Sequence, residues 1–318
     1  MTNQVTDYNI LKRSPWKRFC INFRKNWQLH AMIILPFLYF LLFEFGPMYG
    51  LVIAFRDYRA RTGIWGSKWV GLDKFDEFFR NRQWKNYVGN TISISLYSIC
   101  VGFPVPIIFA LILHINEHPV LKKITQNVSY MPHFISTVIL IGILNQILSP
   151  FGGIYSNIVA LFGGTATDIR SSADAFPHLY QWSGTWQGMG WSAILYVAAL
   201  AGVPMELHEA AKIDGASRVQ RVLNVDLPSI IPTICIMLIL RFGSIISVGH
   251  EKAYLMQTSD NLERSEIIST YVYKNGIGGG KISFGTAVGL MNSVINTCLI
   301  ILVNAITNRL SDGENGLF

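Results

Sequence analysis

The chain has 318 residues, of which 51% are hydrophobic and only 14% charged, with a net charge of +7 and a mean hydropathy of +0.35. Soluble domains carry nearer a quarter of charged residues, so this composition excludes an ordinary soluble enzyme and describes a polytopic membrane protein. The positive balance is a membrane feature and points to no nucleic acid, because Lys12, Arg13, Lys17, Arg18, Arg24 and Lys25 cluster just before the first apolar run. That arrangement puts a basic segment, residues 1–28, and hence the N-terminus, in the cytoplasm, beside anionic headgroups of the lipid bilayer.

An all-α fold with six membrane spans of about 20 residues is expected, the length a bilayer requires. The first, 29–54, carries Pro36, Glu44 and Pro47 and is too long for a signal-peptide core. A polar extracytoplasmic segment, 55–87, follows; its many Arg and Lys residues run against a simple positive-inside count. A five-span core is expected over 88–309. Its first span, 90–113, contains Pro104 and Pro106 and should kink. A short cytoplasmic loop with Lys122 and Lys123 leads to the next span, 127–148. The outer loop 149–187 carries Tyr155, Tyr180, Trp182 and Trp186, and a short span, 188–203, comes after it. Spans five and six are expected to end near 248 and to run over 283–308. A cytoplasmic tail, 310–318, ends the chain. Cys20, Cys100, Cys235 and Cys298 stand far apart in sequence and read as small apolar residues, neither a disulfide framework nor a metal site.

The markedly charged segment 204–232 lies between two apolar runs and must sit outside hydrocarbon. Leu207, Ala210 and Ala211 share one helical face. Gly215 stands where that helix should stop. Ser217 followed by Gln220 is a capping-box pattern that starts a second helix with Val219, Val222 and Leu223 on one face. Pro228 and Pro232 are expected to end it. The ridge of Ala210, Ala211 and Ala216 suits docking into a groove of another protein.

Glu209-Ala210-Ala211, Gly215 and Leu227-Pro228 resemble the E-A-A loop of permease subunits of bacterial ABC importers. Tyr130-Met131-Pro132-His133, Asp214-Gly215-Ala216 and Glu251-Lys252-Ala253-Tyr254-Leu255 are similar to words of the carbohydrate-uptake branch, near the permeases for oligosaccharides and polysaccharide fragments. The resemblance covers about residues 28–309. It implies a type I importer fold whose cytoplasmic coupling helix, here carrying Glu209, Ala210, Ala211, Asp214, Gly215 and Ala216, sits in a cleft of the ATPase. It also implies the partners: a second permease of the same family, two ATPase subunits that hold the ATP and magnesium, and an extracytoplasmic solute-binding protein. No cofactor is implied in this chain.

Other constellations bear on chemistry. His114-Ile115-Asn116-Glu117-His118 fits the H-x-x-E-H pattern of zinc peptidases, but Pro119 follows at once and no metal site is expected from it. The stretch 276–283, G-I-G-G-G-K-I-S, lacks the glycine spacing and the Ser or Thr after lysine of a phosphate-binding loop, so no nucleotide site is expected. Asn292 and Asn296 fall at i and i+4 in the last span, with Ser293 beside them. They serve either interhelical hydrogen bonds or a polar cavity for sugar hydroxyls. The resemblance to maltose-type permeases implies the second. Arg241, Asn145 and Gln146 are further candidates for the substrate path, because a charge or amide at membrane depth should face protein or water. Two rival classes remain: a secondary transporter or channel, which would want coupling-ion residues within the spans, and a membrane zinc hydrolase built on His114 and His118.

Overall fold

The computed structural model describes residue 16 and residues 23–310. Lys12, Arg13, Lys17, Arg18, Cys20 and the tail beyond residue 310 lie outside the described residues.

A hydrophobic run in lipid must satisfy its backbone internally, so it becomes helix. The first span is α1, Trp27–Phe40, continued by a π turn at Leu41–Phe45 and a 3₁₀ stretch at Tyr49–Phe55. Together they form an apolar helix of 29 residues, none of whose most apolar stretch is buried within the chain. The side chains of that stretch are left open to lipid or another subunit, whereas Ala54 near the far end is fully buried.

The polar segment after it is a folded subdomain. Strands β1 (Arg56–Arg59) and β2 (Ser67–Trp69) pair antiparallel, with Arg56 opposite Trp69. The hairpin is followed by α2, Asp73–Arg80. Three of the basic residues that conflict with the positive-inside count, Arg56, Lys74 and Arg80, are committed here, and a fourth cation, Lys281, reaches in from beyond the segment. The Arg56 guanidinium donates to the carbonyls of Ile64, Trp65 and Ser67 and lies 5.0 Å over the Trp65 ring. Lys74 pairs with Asp57 at 2.8 Å, Arg80 with Asp76 at 2.6 Å, and Lys281 with Glu77 at 2.7 Å. The Lys74 ammonium holds the Asp57 carboxyl below the usual carboxylate range.

The second span joins α3, Trp84–Tyr97, to α4, Pro104–Ile115, through a π turn at Ser98–Gly102. The prolines sit in the first turn of α4, where no backbone donor is required, and the wide turn before them absorbs the expected kink. The third span departs from expectation. Helix α5, Pro119–Tyr130, runs into a 3₁₀ turn at Met131–Phe134, and α6, Thr137–Ile147, leaves at 101°. Pro132 interrupts the ladder and Ser136 caps the new helix, accepting from the Ile139 amide. The break falls on the Tyr130-Met131-Pro132-His133 word, and His133 stacks on Trp191 with ring centroids 4.5 Å apart.

The helix of the fourth span, α7, covers Ala175–Ala201 and is much longer than the predicted 188–203. Trp182 and Trp186 therefore lie in a helix and not in the loop to which their polarity assigned them. Gly190 lets α5 pack closely: a Cβ there would lie 2.2 Å from the Ser129 carbonyl oxygen. A 73° turn leads to α8, Met205–Ile213. Helix α9, Arg218–Arg221, then passes through a π turn at Val222–Asp226 into α10, Leu227–Phe242. This corrects the expectation that Pro228 and Pro232 end the second loop helix. Pro228 occupies the first turn of α10, Pro232 is carried inside it, and the helical path runs unbroken from Arg218 to Phe242. The fifth span also stops at Phe242, six residues before the predicted end. After α11, His250–Met256, the chain closes with α12, Ile282–Leu310, the sixth span.

A core cluster of Ile107, Ala110 and Leu111 on α4, Ala193, Tyr196 and Leu200 on α7, and Val222 with Ile230 locks three spans together at the α8 end. Burial of such side chains is worth about 1.5–3 kcal/mol each where they leave water. The core fixes where α8 and Asp226 stand.

Candidate functional site

Two regions carry polar groups at membrane depth or at a span boundary. The first is a cavity of about 490 Å³ between α4, α7, α10 and α11. Arg241 of α10 and Lys252 of α11 line it, together with Tyr180, Gln181, Gln187, Thr185 and Ser244. No Asp or Glu is among its lining residues. The Arg241 guanidinium donates to the Ser98 hydroxyl. Lys252 Nζ donates to the Tyr180 carbonyl at 2.7 Å and lies 4.7 Å from that ring. Burial without a countercharge pushes this ammonium down to about 8. Gln181 donates to Thr185 at 2.9 Å, and Gln187 reaches the Ile135 carbonyl at 2.7 Å, fastening α7 to the break in the third span. Two cations among hydroxyls and amides, with no carboxylate, can hold a polyhydroxylated anion.

Of the predicted path residues, Arg241 lines this cavity and the rest do not. Asn145 and Gln146 are exposed on α6. Asn296 Nδ2 donates to Ser247 Oγ at 2.8 Å and its Oδ1 accepts from the Ile246 amide, so it holds the turn after the fifth span. Ser293 bonds back to the Gly289 carbonyl at 3.0 Å, and the buried Asn292 Oδ1 has no hydrogen-bond partner. Lys252, Gln181 and Gln187 were missed. Lys252 lies in a loop in sequence, and only its place within the resembling word Glu251 to Leu255 marked it.

The second region is the loop between the fourth and fifth spans. Gly215 has φ +78°, and the amides of Gly215 and Ala216 bond back to Lys212 and Ala211, a glycine-terminated helix end. The capping box is formed: Gln220 accepts from the Ser217 amide at 2.8 Å, and Ser217 Oγ accepts from the Gln220 amide. Glu209, Ala210, Asp214 and Gly215 are exposed, and Ala211 and Ala216 are half-buried. Ile213 is 86% exposed, with Met205, Leu207, Val219 and Leu223 also bare. Val222 is the exception to the predicted face, since it turns into the core beside Leu200. The outward side of α8 and α9 thus mixes bare apolar side chains with the exposed charges of Glu206, Glu209, Lys212 and Arg218 at the end of the bundle.

The profile of the family described as binding-protein-dependent transport system inner membrane component matches residues 102–312. The chain belongs to that family. Its members are transport permease subunits and not enzymes, and the chain is a multi-pass membrane protein with the fold of an ABC importer permease. The match takes in α4 through α12 and leaves the first span and the hairpin outside. Relatives of this permease include the polygalacturonan/rhamnogalacturonan transport system permease protein YteP of Bacillus subtilis, 36% identical over 99% of this chain and 97% of that protein. Protein LplB of the same organism is 38% identical over 93% of this chain and 92% of its own length. Among solved structures, a chain of a bacterial alginate ABC transporter, in complex with an alginate pentasaccharide-bound periplasmic protein, superposes with a TM-score of 0.85 at 31% identity. That match covers 96% of this chain and all of the other. A second structure, of an importer of the acidic polysaccharide alginate, gives 0.84 at 32% identity.

Proposed function

We propose that this permease carries an acidic oligosaccharide, a fragment of a uronate-containing polysaccharide, into the bacterial cytoplasm. The observation that supports it is the cavity with Arg241 and Lys252 and no carboxylate. A neutral sugar needs only hydroxyl and amide partners, whereas a uronate needs a cation that is not already neutralised. The names of the relatives, for polygalacturonan, rhamnogalacturonan and alginate, agree with that charge. In this reading both termini face the cytoplasm, and α8 is the coupling helix seated in an ATPase cleft. The complex contains a second permease of the family, two ATPase subunits with ATP and magnesium, and a solute-binding protein outside. ATP binding and hydrolysis on the partner alternate the access of the cavity, and no covalent chemistry falls to this chain.

The test is ATP-driven uptake in vesicles holding the complete complex. Oligogalacturonate of three to five units should be imported, and a neutral oligosaccharide of equal length should not compete. Import of the neutral sugar alone would overturn the acidic assignment.

A further inference from the structure

His114, His208 and Asp226 stand far apart in sequence and meet at the α8 end of the bundle. His114 is on the last turn of α4, His208 is midway along α8, and Asp226 is the last residue of the π turn before α10. His208 Nε2 lies 3.3 Å and His114 Nε2 3.5 Å from the same oxygen, Asp226 Oδ1. The three ligand atoms are all within 4.8 Å of one another. Asp226 is 2% exposed. Neither contact is a hydrogen bond: Asp226 Oδ1 and His208 Nε2 are both buried and without a partner. A buried carboxylate oxygen left unpaired is costly, and an imidazole–carboxylate bond would close to about 2.7–2.9 Å.

We propose that His114, His208 and Asp226 form a transition-metal site, suited to Zn²⁺, that fastens α8 to the ends of α4 and α10. Tetrahedral zinc with bonds of about 2.0–2.1 Å separates its ligand atoms by about 3.3–3.4 Å. The two contacts to Asp226 Oδ1, 3.3 and 3.5 Å, lie close to that spacing. Two imidazoles and one carboxylate form a borderline donor set that favours zinc over calcium or magnesium, which take six or more oxygens. The fourth position faces a cavity of about 430 Å³ lined by Lys212, Arg221 and the Arg218–Glu117 pair, the last joined at 3.1 Å. Arg221 Nε is itself buried and unpartnered. Zinc with one carboxylate keeps a net positive charge, and with Lys212 and Arg221 nearby the fourth ligand is a small anion, hydroxide or chloride. His118 takes no part. Helix α4 ends at Ile115, so His114 and His118 do not share a helical face. The H-x-x-E-H pattern thus contributes one ligand, and the other two come from beyond the fourth span. The site is independent of the solute carried.

The experiment uses the intact transporter complex, freed of its affinity tag, stripped with chelator and repleted with Zn²⁺ or Co²⁺. One zinc per copy of this chain is expected by elemental mass spectrometry, with intense tetrahedral visible bands for cobalt. Zinc should also raise the melting temperature. His114→Gln and His208→Gln should each weaken zinc binding at least 10-fold and abolish the thermal shift, and His118→Gln should change neither. Asp226→Asn is a third variant. If its burial prevents folding, the two histidine variants carry the test. A wild-type complex that takes up no zinc, zinc retained equally in both histidine variants, or octahedral cobalt bands would each overturn the site.

Discussion

Lys252 lies where burial and the lack of a countercharge act together, and its titration gives opposite signs for two measurable quantities. Its ammonium is held at about 8, below its ordinary value of 10.5. Between those values the unfolded chain binds more protons, so this residue makes stability rise with pH in that window, and its cost is fully present below about 8. Binding of an acidic solute goes the other way, because the cation is lost as pH rises through about 8. Uptake of oligogalacturonate at limiting concentration should therefore fall between pH 7 and pH 9. Lys252→Arg should flatten that profile, and Lys252→Met should lower uptake at pH 7 by roughly 10–100-fold, the worth of one charge-assisted hydrogen bond. Asn296 leads to a different expectation. It makes two hydrogen bonds to the turn at 246–247, so Asn296→Leu should lower the melting temperature of the complex, at a cost of about 1–3 kcal/mol, more than it alters solute specificity. The sequence placed Asn292 and Asn296 on one face correctly. It could not tell which face, because that depends on what packs there, and Ser247 is nearly fifty residues away.

At the level of the element, the loop between spans four and five was the most legible part of the chain. A glycine at a helix end and a capping box are local chemistry, and local chemistry survives tertiary packing. A Cβ on Gly215 would meet nothing within 4 Å, so only its φ of +78° restricts the position. Backbone strain and steric fit can therefore be separated. Gly215→Asn, which tolerates the left-handed region, should keep ATPase co-purification and uptake near wild type. Gly215→Val should lose about 1–2 kcal/mol to the left-handed strain, tilt α8 against α9 and reduce coupled transport. Equal behaviour of the two variants would remove the role assigned to this turn. The prolines show where local rules mislead. Pro228 and Pro232 read as helix stops, yet the π turn at Val222–Asp226 and the lipid-buried helix beyond it carry them. Likewise Trp182 and Trp186 read as loop residues because polar neighbours dilute the apolar pattern of α7, whose polar face lines the cavity.

For the whole molecule, the order of the apolar helices was legible because a bilayer imposes one length on every crossing; four are long and apolar enough outright and six if each bent pair is one crossing, and the 101° bend in the third span depends on a 3₁₀ turn that composition does not reveal. Orientation rests on charge, and the hairpin bears on that count. Arg56, Lys74 and Arg80 have carbonyl or carboxylate partners within their own subdomain, which is compatible with the proposed external place of the hairpin, and in that proposal the basic cluster before the first span sets the direction. In the proposed topology each bent pair is one crossing, and six crossings return the chain to its starting side. On a background lacking Cys20, Cys100, Cys235 and Cys298, single cysteines at the exposed positions Arg61 and Thr165 should react with an impermeant maleimide in intact cells. Cysteines at Lys123 and Ser217, exposed at the opposite end of the bundle, should react only after permeabilisation. Thr165 replaces Trp182 as the outer probe because α7 already begins at Ala175. Because α8 and α9 share one surface, labelling of Ser217 from outside would put the whole E-A-A loop on the wrong side for an ATPase. It would leave the fold standing and reverse the direction of every span.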